Sequence, residues 1–309
     1  MKRTCCCWLL ALWCGFFLRP ERAYGLDPAK NLAQFNCQSW TRQTGLPANG
    51  INAITQTKDG YLWLGTQNGL VRFDGNEFKL FLLPSLPQFR RQSIATLARS
   101  GDGGLWFGIN NSSFGHFDGE DRFTTIDAAP WVTPIMNVLS VRELRDGSLW
   151  VAADSGAARF TDRSTNANVI ADQIGSVTVV CEGSQGRVWL GTSERGLYYW
   201  EQGRLMPFPD ASLQSASIRA VAEDVSGQLW VGTSAGLRCY DAKFQPKEIP
   251  AFYTEVKALL ADPRGPVWIG AVCGVGAADA SRGDGRRPIR RCLDLGCRSR
   301  TDRDHRSGH

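Results

Sequence analysis

One short phrase recurs six times along the chain: a tryptophan among aliphatic residues, usually followed two positions later by glycine. The tryptophans are Trp63, Trp106, Trp150, Trp189, Trp230 and Trp268, at spacings of 43, 44, 39, 41 and 38 residues. A period of about 40 means that one supersecondary unit is restacked along the chain, which removes most other architectures from consideration. Stacked units of this kind present a surface and are rarely built around a single reactive centre.

The first copy shows the unit. Ile51 to Gln56 is a short apolar stretch fit for a strand, and Lys58-Asp59-Gly60 is a turn, because Asp-Gly suits the positive φ of tight hairpins. Tyr61 to Gly65, Leu70 to Phe73 and Phe78 to Leu82 read as three more strands, separated by Thr66-Gln67-Asn68-Gly69 and Asp74-Gly75. Four short antiparallel strands in about 40 residues make one blade of a β-propeller. The reading is therefore an all-β propeller with five complete repeats and a partial sixth, forming an incomplete ring.

Alternation along a strand assigns roles within the phrase. Residues two apart share a face, so Trp63 and Gly65 point one way, and Leu62 and Leu64 the other. A large aromatic beside a residue with no side chain suits close stacking between blades. The same pair recurs as Trp106/Gly108, Trp189/Gly191, Trp230/Gly232 and Trp268/Gly270, while Trp150 is followed by Ala152. These residues are expected to form the core between blades and not to bind a ligand. Arg72, Arg159 and Arg238 are read as matching third-strand positions and are the candidate ligand-binding residues.

The two ends of the chain differ from its body. Lys2 and Arg3 precede an uncharged run from Cys5 to Leu18, and Ala23-Tyr24-Gly25 offers small residues at alternate positions. That pattern predicts a secretory signal peptide over residues 1–25 and a periplasmic or secreted protein. Beyond Gly270 the phrase stops. Residues 273–309 carry nine Arg, no Lys and no aromatic residue. We expect a disordered tail there, produced by a change of reading frame near residue 271, with the propeller sensor domain spanning 26–272.

Charge and cysteine usage narrow the function further. The formal charge of +5 comes from the two ends, and residues 25–272 sum to −2, so the body lacks the basic stripe that nucleic-acid binding needs. Of ten cysteines only Cys37, Cys181 and Cys239 lie in the body, and they form no CxxC pair. They read as small buried hydrophobes.

The repeats closely resemble the two-component regulator propeller repeat of bacterial sensor proteins. The residues that carry the resemblance are Trp40-Thr41, Gly45-Leu46-Pro47, Ile51-Asn52-Ala53-Ile54, the run Asp59 to Thr66 and the run Gly69 to Gly75. Leu26-Asp27-Pro28, just after the signal peptide, fits as well, and the likeness covers roughly residues 35–270. It implies a periplasmic sensor ring, which in such proteins is followed by a membrane helix and a histidine kinase or diguanylate cyclase. No kinase histidine box, nucleotide-binding motif or cyclase signature is present in this sequence.

Catalytic constellations are weakly represented. His116 is the body's one histidine, and neither Gly-x-Ser-x-Gly nor HExxH occurs. The Asp-Gly pairs recur because turns need them. Trp131, Asp127 and Asp210 lie between repeats, with nothing to tie them together. The expectation is a non-enzymatic ligand-binding sensor propeller with no cofactor and no metal. Its partner would be a small molecule or glycan, with no role for nucleic acid and no membrane span after signal cleavage. The alternatives are a protein-interaction scaffold and a carbohydrate-active propeller enzyme.

Overall fold

The computed structural model describes residues 38–48, 50–81, 93–110, 113–119, 122–126, 137–161, 168–170, 173–249, 254–263, 265–272, 274–279 and 290–291. All of them belong to the second of the chain's two units, Cys37–His309. The signal-peptide reading, Cys37, Asp127 and Trp131 lie outside the described residues. Among the described residues, no helix is long and apolar enough to cross a membrane.

The strands form six antiparallel sheets, one per repeat. The first holds β1 (Ile51–Gln56), β2 (Leu62–Thr66), β3 (Gly69–Phe73) and β4 (Phe78–Phe81). The second holds β5 (Ile94–Arg99), β6 (Leu105–Ile109), β7 (Phe114–Phe117) and β8 (Phe123–Ile126). The third holds β9 (Val138–Glu143), β10 (Leu149–Ala153), β11 (Gly156–Phe160) and β12 (Asn168–Val169). The fourth holds β13 (Val177–Glu182), β14 (Val188–Thr192), β15 (Leu197–Glu201) and β16 (Arg204–Pro207). The fifth holds β17 (Ile218–Glu223), β18 (Leu229–Thr233) and β19 (Gly236–Tyr240). The sixth holds β20 (Val256–Ala261), β21 (Pro266–Ala271), β22 (Gly274–Asp279) and β23 (Arg290–Arg291). Each sheet follows chain order, the up-and-down meander of a propeller blade.

Two blades depart from the sequence reading. The fifth was expected to be complete, yet its outer position is reduced to an isolated bridge between Tyr240 and Pro246. Proline has no N–H to give a ladder, and Phe244, two residues before it, takes a positive φ of 65°, so the chain turns away from the strand path. The sequence pattern ends the propeller at residue 272, with disorder from 273. Instead β22 pairs with β21 along its full length, with Trp268 opposite Ala277, and β23 pairs with β22. A ladder is made by backbone groups. Gly274 to Asp279 has no proline to interrupt it, so the loss of the aromatic pattern does not prevent a third strand.

Turn chemistry fixes the hairpins. Asp102 Oδ1 accepts the Gly104 N–H at 3.0 Å, and Asp146 Oδ1 accepts that of Ser148 at 2.9 Å. The glycine after each aspartate takes a positive φ, 102° at Gly103 and 79° at Gly147, where a side chain would be strained. The recurring Thr of Gly-Thr serves the next turn. Thr66, Thr192 and Thr233 each donate to the carbonyl of Gly69, Gly196 and Gly236, at 2.8, 2.8 and 2.9 Å.

Among the described residues, five hydrophobic cores lie between successive blades, and each contains one repeat tryptophan. Trp63 packs with Ile94, Leu105, Phe107 and Phe117 of the second blade. Trp106 packs with Val138 and Val141 of the third, and Trp150 with Val177, Val180 and Val188 of the fourth. Trp189 meets Ile218, Val221 and Leu229, and Trp230 meets Val256 and Val267. These five indoles are 1–4% exposed. Trp268, on the last blade, is half-buried. The glycine two residues on admits the next blade. A Cβ placed on Gly65, Gly108, Gly191 or Gly232 would lie 2.9, 2.7, 2.6 or 2.6 Å from the side chain of Ile94, Val138, Ile218 or Val256.

Candidate ligand-binding rim

Every first strand contains a bulge at its second residue. In β1 the register runs Ile51↔Thr66 and then Ala53↔Gly65, which skips Asn52. The same step skips Ala95 in β5, Leu139 in β9, Thr178 in β13, Arg219 in β17 and Lys257 in β20. A bulge resets the two-residue alternation. The residue before it turns to the preceding blade, as Ile94 does against Gly65, while the residue after it faces its own glycine, as Thr96 does against Gly108. The bulged residue is left with neither face to pack against and remains at the inner edge of the blade.

All six bulges lie on one side of the propeller. The carbonyl just before each first strand accepts an N–H from just after the second strand of the same blade. Examples are Gln67 to Gly50, Asn110 to Ser93, Ser193 to Ser176 and Ser234 to Ser217, at 3.0–3.3 Å. The bulges, the second-to-third-strand turns and the links between blades therefore share a face.

The bulged side chains differ from blade to blade. Asn52 reaches forward, its Nδ2 donating to Ser93 Oγ and Ile94 O, each at 2.9 Å. Thr178 Oγ1 makes the equivalent bond to Ile218 O at 2.6 Å. Arg219 pairs with Glu255 at 3.2 Å and is 43% exposed along its side chain. Lys257 is exposed, Leu139 is 36% exposed and Ala95 is small. The rim thus runs from neutral hydrogen-bonding groups on the first and fourth blades to two adjacent cations on the fifth and sixth. On the same face, Arg195, Leu197, Tyr198, Phe208, Leu213 and Gln214 line a depression of about 320 Å³, at the small end of ligand pockets.

The three candidate arginines do not meet at this rim. Arg72 and Arg159 do match, each standing opposite its blade's tryptophan, Trp63 or Trp150. Arg72 lies over the Tyr61 ring at 4.3 Å, and Arg159 donates to Asp146 at 2.8 Å in the first hairpin turn, so both sit at the far side of their blades. Arg238 is one residue out of step. It pairs with Val231, while Cys239 takes the place opposite Trp230. A one-residue offset turns a strand side chain to the opposite face, and Arg238 is exposed there.

The remaining chemistry-bearing groups are bound into the fold. His116 is buried beside Trp106, with Nε2 3.3 Å from Asp102. Asp210 accepts from Tyr240 Oη at 2.6 Å and from Ser212 N at 2.8 Å. Burial works against its charge, but these bonds hold its carboxyl below the usual range. Burial raises the thiol pKa of Cys181 and pushes that of Cys239 up to about 12, so neither is a ready nucleophile. Among the described residues, no group of three or more His, Cys, Asp or Glu could hold a metal ion.

One set of residues escaped the sequence reading. Glu143, Glu182 and Glu223 end the first strands of the third, fourth and fifth blades, each seven residues ahead of its tryptophan. Glu143 accepts from Trp106 Nε1 at 2.5 Å, Ser100 Oγ at 2.9 Å and Gly101 N at 3.0 Å, all in the preceding blade. Glu223 does the same for Trp189 Nε1 and Ser184 N, both at 3.1 Å. Where the next blade carries Arg99 or Ala261 at this place, the indole turns to its own hairpin, Trp63 to Thr57 and Trp230 to Asp224. Glu182 is engaged by Arg145, the matching hairpin residue is Leu144, and among the described residues Trp150 Nε1 has no acceptor. The fixed offset of seven from tryptophan would have revealed these glutamates.

The two component regulator propeller model matches residues 45–68, 173–194 and 212–235. Over these three segments the sequence is that of the two component regulator propeller repeat. Solved structures share the fold. The extracellular domain of a hybrid two component system from B. thetaiotaomicron aligns with a TM-score of 0.66 at 19% identity, over 80% of this chain and 33% of that one. This chain therefore spans about a third of that domain's length. Virginiamycin B lyase from Staphylococcus aureus aligns at 0.62 and 16% identity, over 74% and 80% of the two chains. YCF48 bound to D1 peptide aligns at 0.64 and 16% identity, over 81% and 85%. No curated protein matches the sequence.

Proposed function

We propose that this chain is an extracytoplasmic, non-catalytic sensor propeller that binds a small polar molecule or glycan on the bulged inner rim. One observation carries the reading. Six blades with a constant packing frame each release one side chain at an equivalent inner position, and that side chain changes from blade to blade: Asn52, Ala95, Leu139, Thr178, Arg219, Lys257. A fixed frame with a variable rim is the arrangement of a recognition surface. The repeat match and the fold shared with the extracellular domain of a two component system support the sensor class. Amide, hydroxyl, guanidinium and ammonium groups on one rim suit a ligand rich in hydroxyl or carboxylate oxygen.

The test is a thermal-shift screen of glycan fragments and small organic acids against the purified chain. A variant carrying Asn52→Ala, Arg219→Ala and Lys257→Ala is screened in parallel. The reading expects at least one compound to raise the melting temperature of the parent, with the shift lost in the variant. A shift of equal size in both proteins removes the rim as the site. Turnover of the bound compound would replace the sensor with an enzyme.

A further inference from the structure

The fourth blade differs from the blades on either side of it in one turn. Thr192 and Gly196, which open and close the turn between β14 and β15, are four residues apart. The matching pairs in the third and fifth blades, Ala153 with Gly156 and Thr233 with Gly236, are three apart. The longer turn ends in Arg195, whose backbone N–H is held on Thr192 Oγ1 at 2.9 Å. The Arg195 side chain is exposed. Among the described residues it makes one hydrogen bond, from Nη1 to the carbonyl of Gln173 at 3.3 Å, and no ion pair.

Beside this turn, the link to the fifth blade folds back. Gly196 takes a φ of 75°, and a Cβ on it would overlap the carbonyl oxygen of Leu213, so glycine is what lets the link come so close. The link is anchored at several points. Asp210 accepts from Ser212 N at 2.8 Å and from Tyr240 Oη at 2.6 Å, and a 3-10 turn follows at Ala211–Leu213. Phe208 N donates to Leu197 O at 2.8 Å, which ties the start of the link to β15. The depression of about 320 Å³ between turn and link is therefore already formed without a ligand. Its apolar walls include Leu197, Tyr198, Phe208 and Leu213, and its polar groups are Arg195 and Gln214. It lies on β15 and at the end of β16, in the outer half of the blade, whereas the bulged rim runs along the first strands.

These walls select a ligand different from the one the rim suits. A guanidinium carries five N–H donors in a planar fork that fits a carboxylate, and Arg195 commits one group of that fork to a neighbour. Two aromatic rings and two leucines offer contact to a flat apolar body. The volume is that of about ten water molecules at about 30 Å³ each, enough for roughly one ring with a short side chain. A sugar of that size would leave hydroxyls unpaired against leucine and phenylalanine. We propose that this depression is a second binding site, for a small aryl monocarboxylate. Its ring lies against Tyr198, Phe208 and Leu213, and its carboxylate is held by Arg195 and Gln214. The site stands apart from the rim and does not depend on it.

The probe is phenylacetate, titrated into the full chain by isothermal calorimetry. Acetate supplies the charge without the ring, and 2-phenylethanol supplies the ring without the charge. Arg195→Ala is titrated in parallel, and because Arg195 is exposed its melting curve should overlay the parent. The rim variant with Asn52→Ala, Arg219→Ala and Lys257→Ala is the third protein. The proposal expects saturable one-to-one binding of phenylacetate that is unchanged in the rim variant. Arg195→Ala and the change to 2-phenylethanol should each weaken it at least about tenfold, the scale of a lost charge-assisted hydrogen bond. Absence of saturable binding by the parent, or equal binding by Arg195→Ala, overturns the proposal. Acetate or 2-phenylethanol binding as tightly as phenylacetate overturns it as well. Binding lost in the rim variant and kept in Arg195→Ala would place the carboxylate on the rim, so that this site falls while the sensor reading stands.

Discussion

Trp189 and Trp268 occupy the same place in their blades, and their surroundings have little in common. Trp189 is 1% exposed, sits among Ile218, Val221 and Leu229, and donates its indole N–H to Glu223. Trp268 carries the same local sequence pattern but is only half-buried, beside an exposed Leu260. The difference is one neighbouring blade. A repeat therefore encodes half of each junction, and the energy of its most recurrent letters belongs to the pair of blades and not to the blade itself.

That contrast can be broken by truncation. Trp189→Ala should cost about 4 kcal/mol, the range for emptying a buried aromatic site, whereas Trp268→Ala should cost about 1–2 kcal/mol. Urea melts of the two variants decide the matter. Similar losses would mean that Trp268 already has a full set of neighbours. Filling the space beside the glycines gives the next largest contrast. Gly191→Val drives its side chain into Ile218 and should cost about 3 kcal/mol, while Gly270→Val enters open space and should change stability by less than about 0.5 kcal/mol. A large loss at Gly270 in the same urea melts would mean that its face is covered.

The sequence displays the packing frame because that frame repeats. Tryptophan recurs in all six blades, the glycine two residues on in five and the Asp-Gly turn in three, so period alone exposes them. The rim is hidden for the opposite reason. A bulge needs no particular side chain, and Asn52, Ala95, Leu139, Thr178, Arg219 and Lys257 share no chemistry that a pattern could catch. Arg238 shows how narrow the margin is. Counted from Gly236 it stands two residues on, whereas Arg72 and Arg159 stand three residues from Gly69 and Gly156, and that single step reverses its face. High charge and few large apolar side chains from residue 273 onward predict disorder there, while β22 pairs through its backbone, which composition does not report.

The contrast between a packed interior and an open end is tested most directly by native-state hydrogen exchange on the unmodified chain. Amides in an element exchange according to the free energy of opening it, and that free energy depends on what packs against it. Peptides covering β14 and β18 should be the slowest and should exchange only with global unfolding. The peptide covering β21, with Trp268 and Gly270 on an uncovered face, should exchange at least tenfold faster, a difference of about 1.4 kcal/mol. Equal protection of β21 and β14 would contradict the account, because the open face of the sixth blade would then be packed in solution.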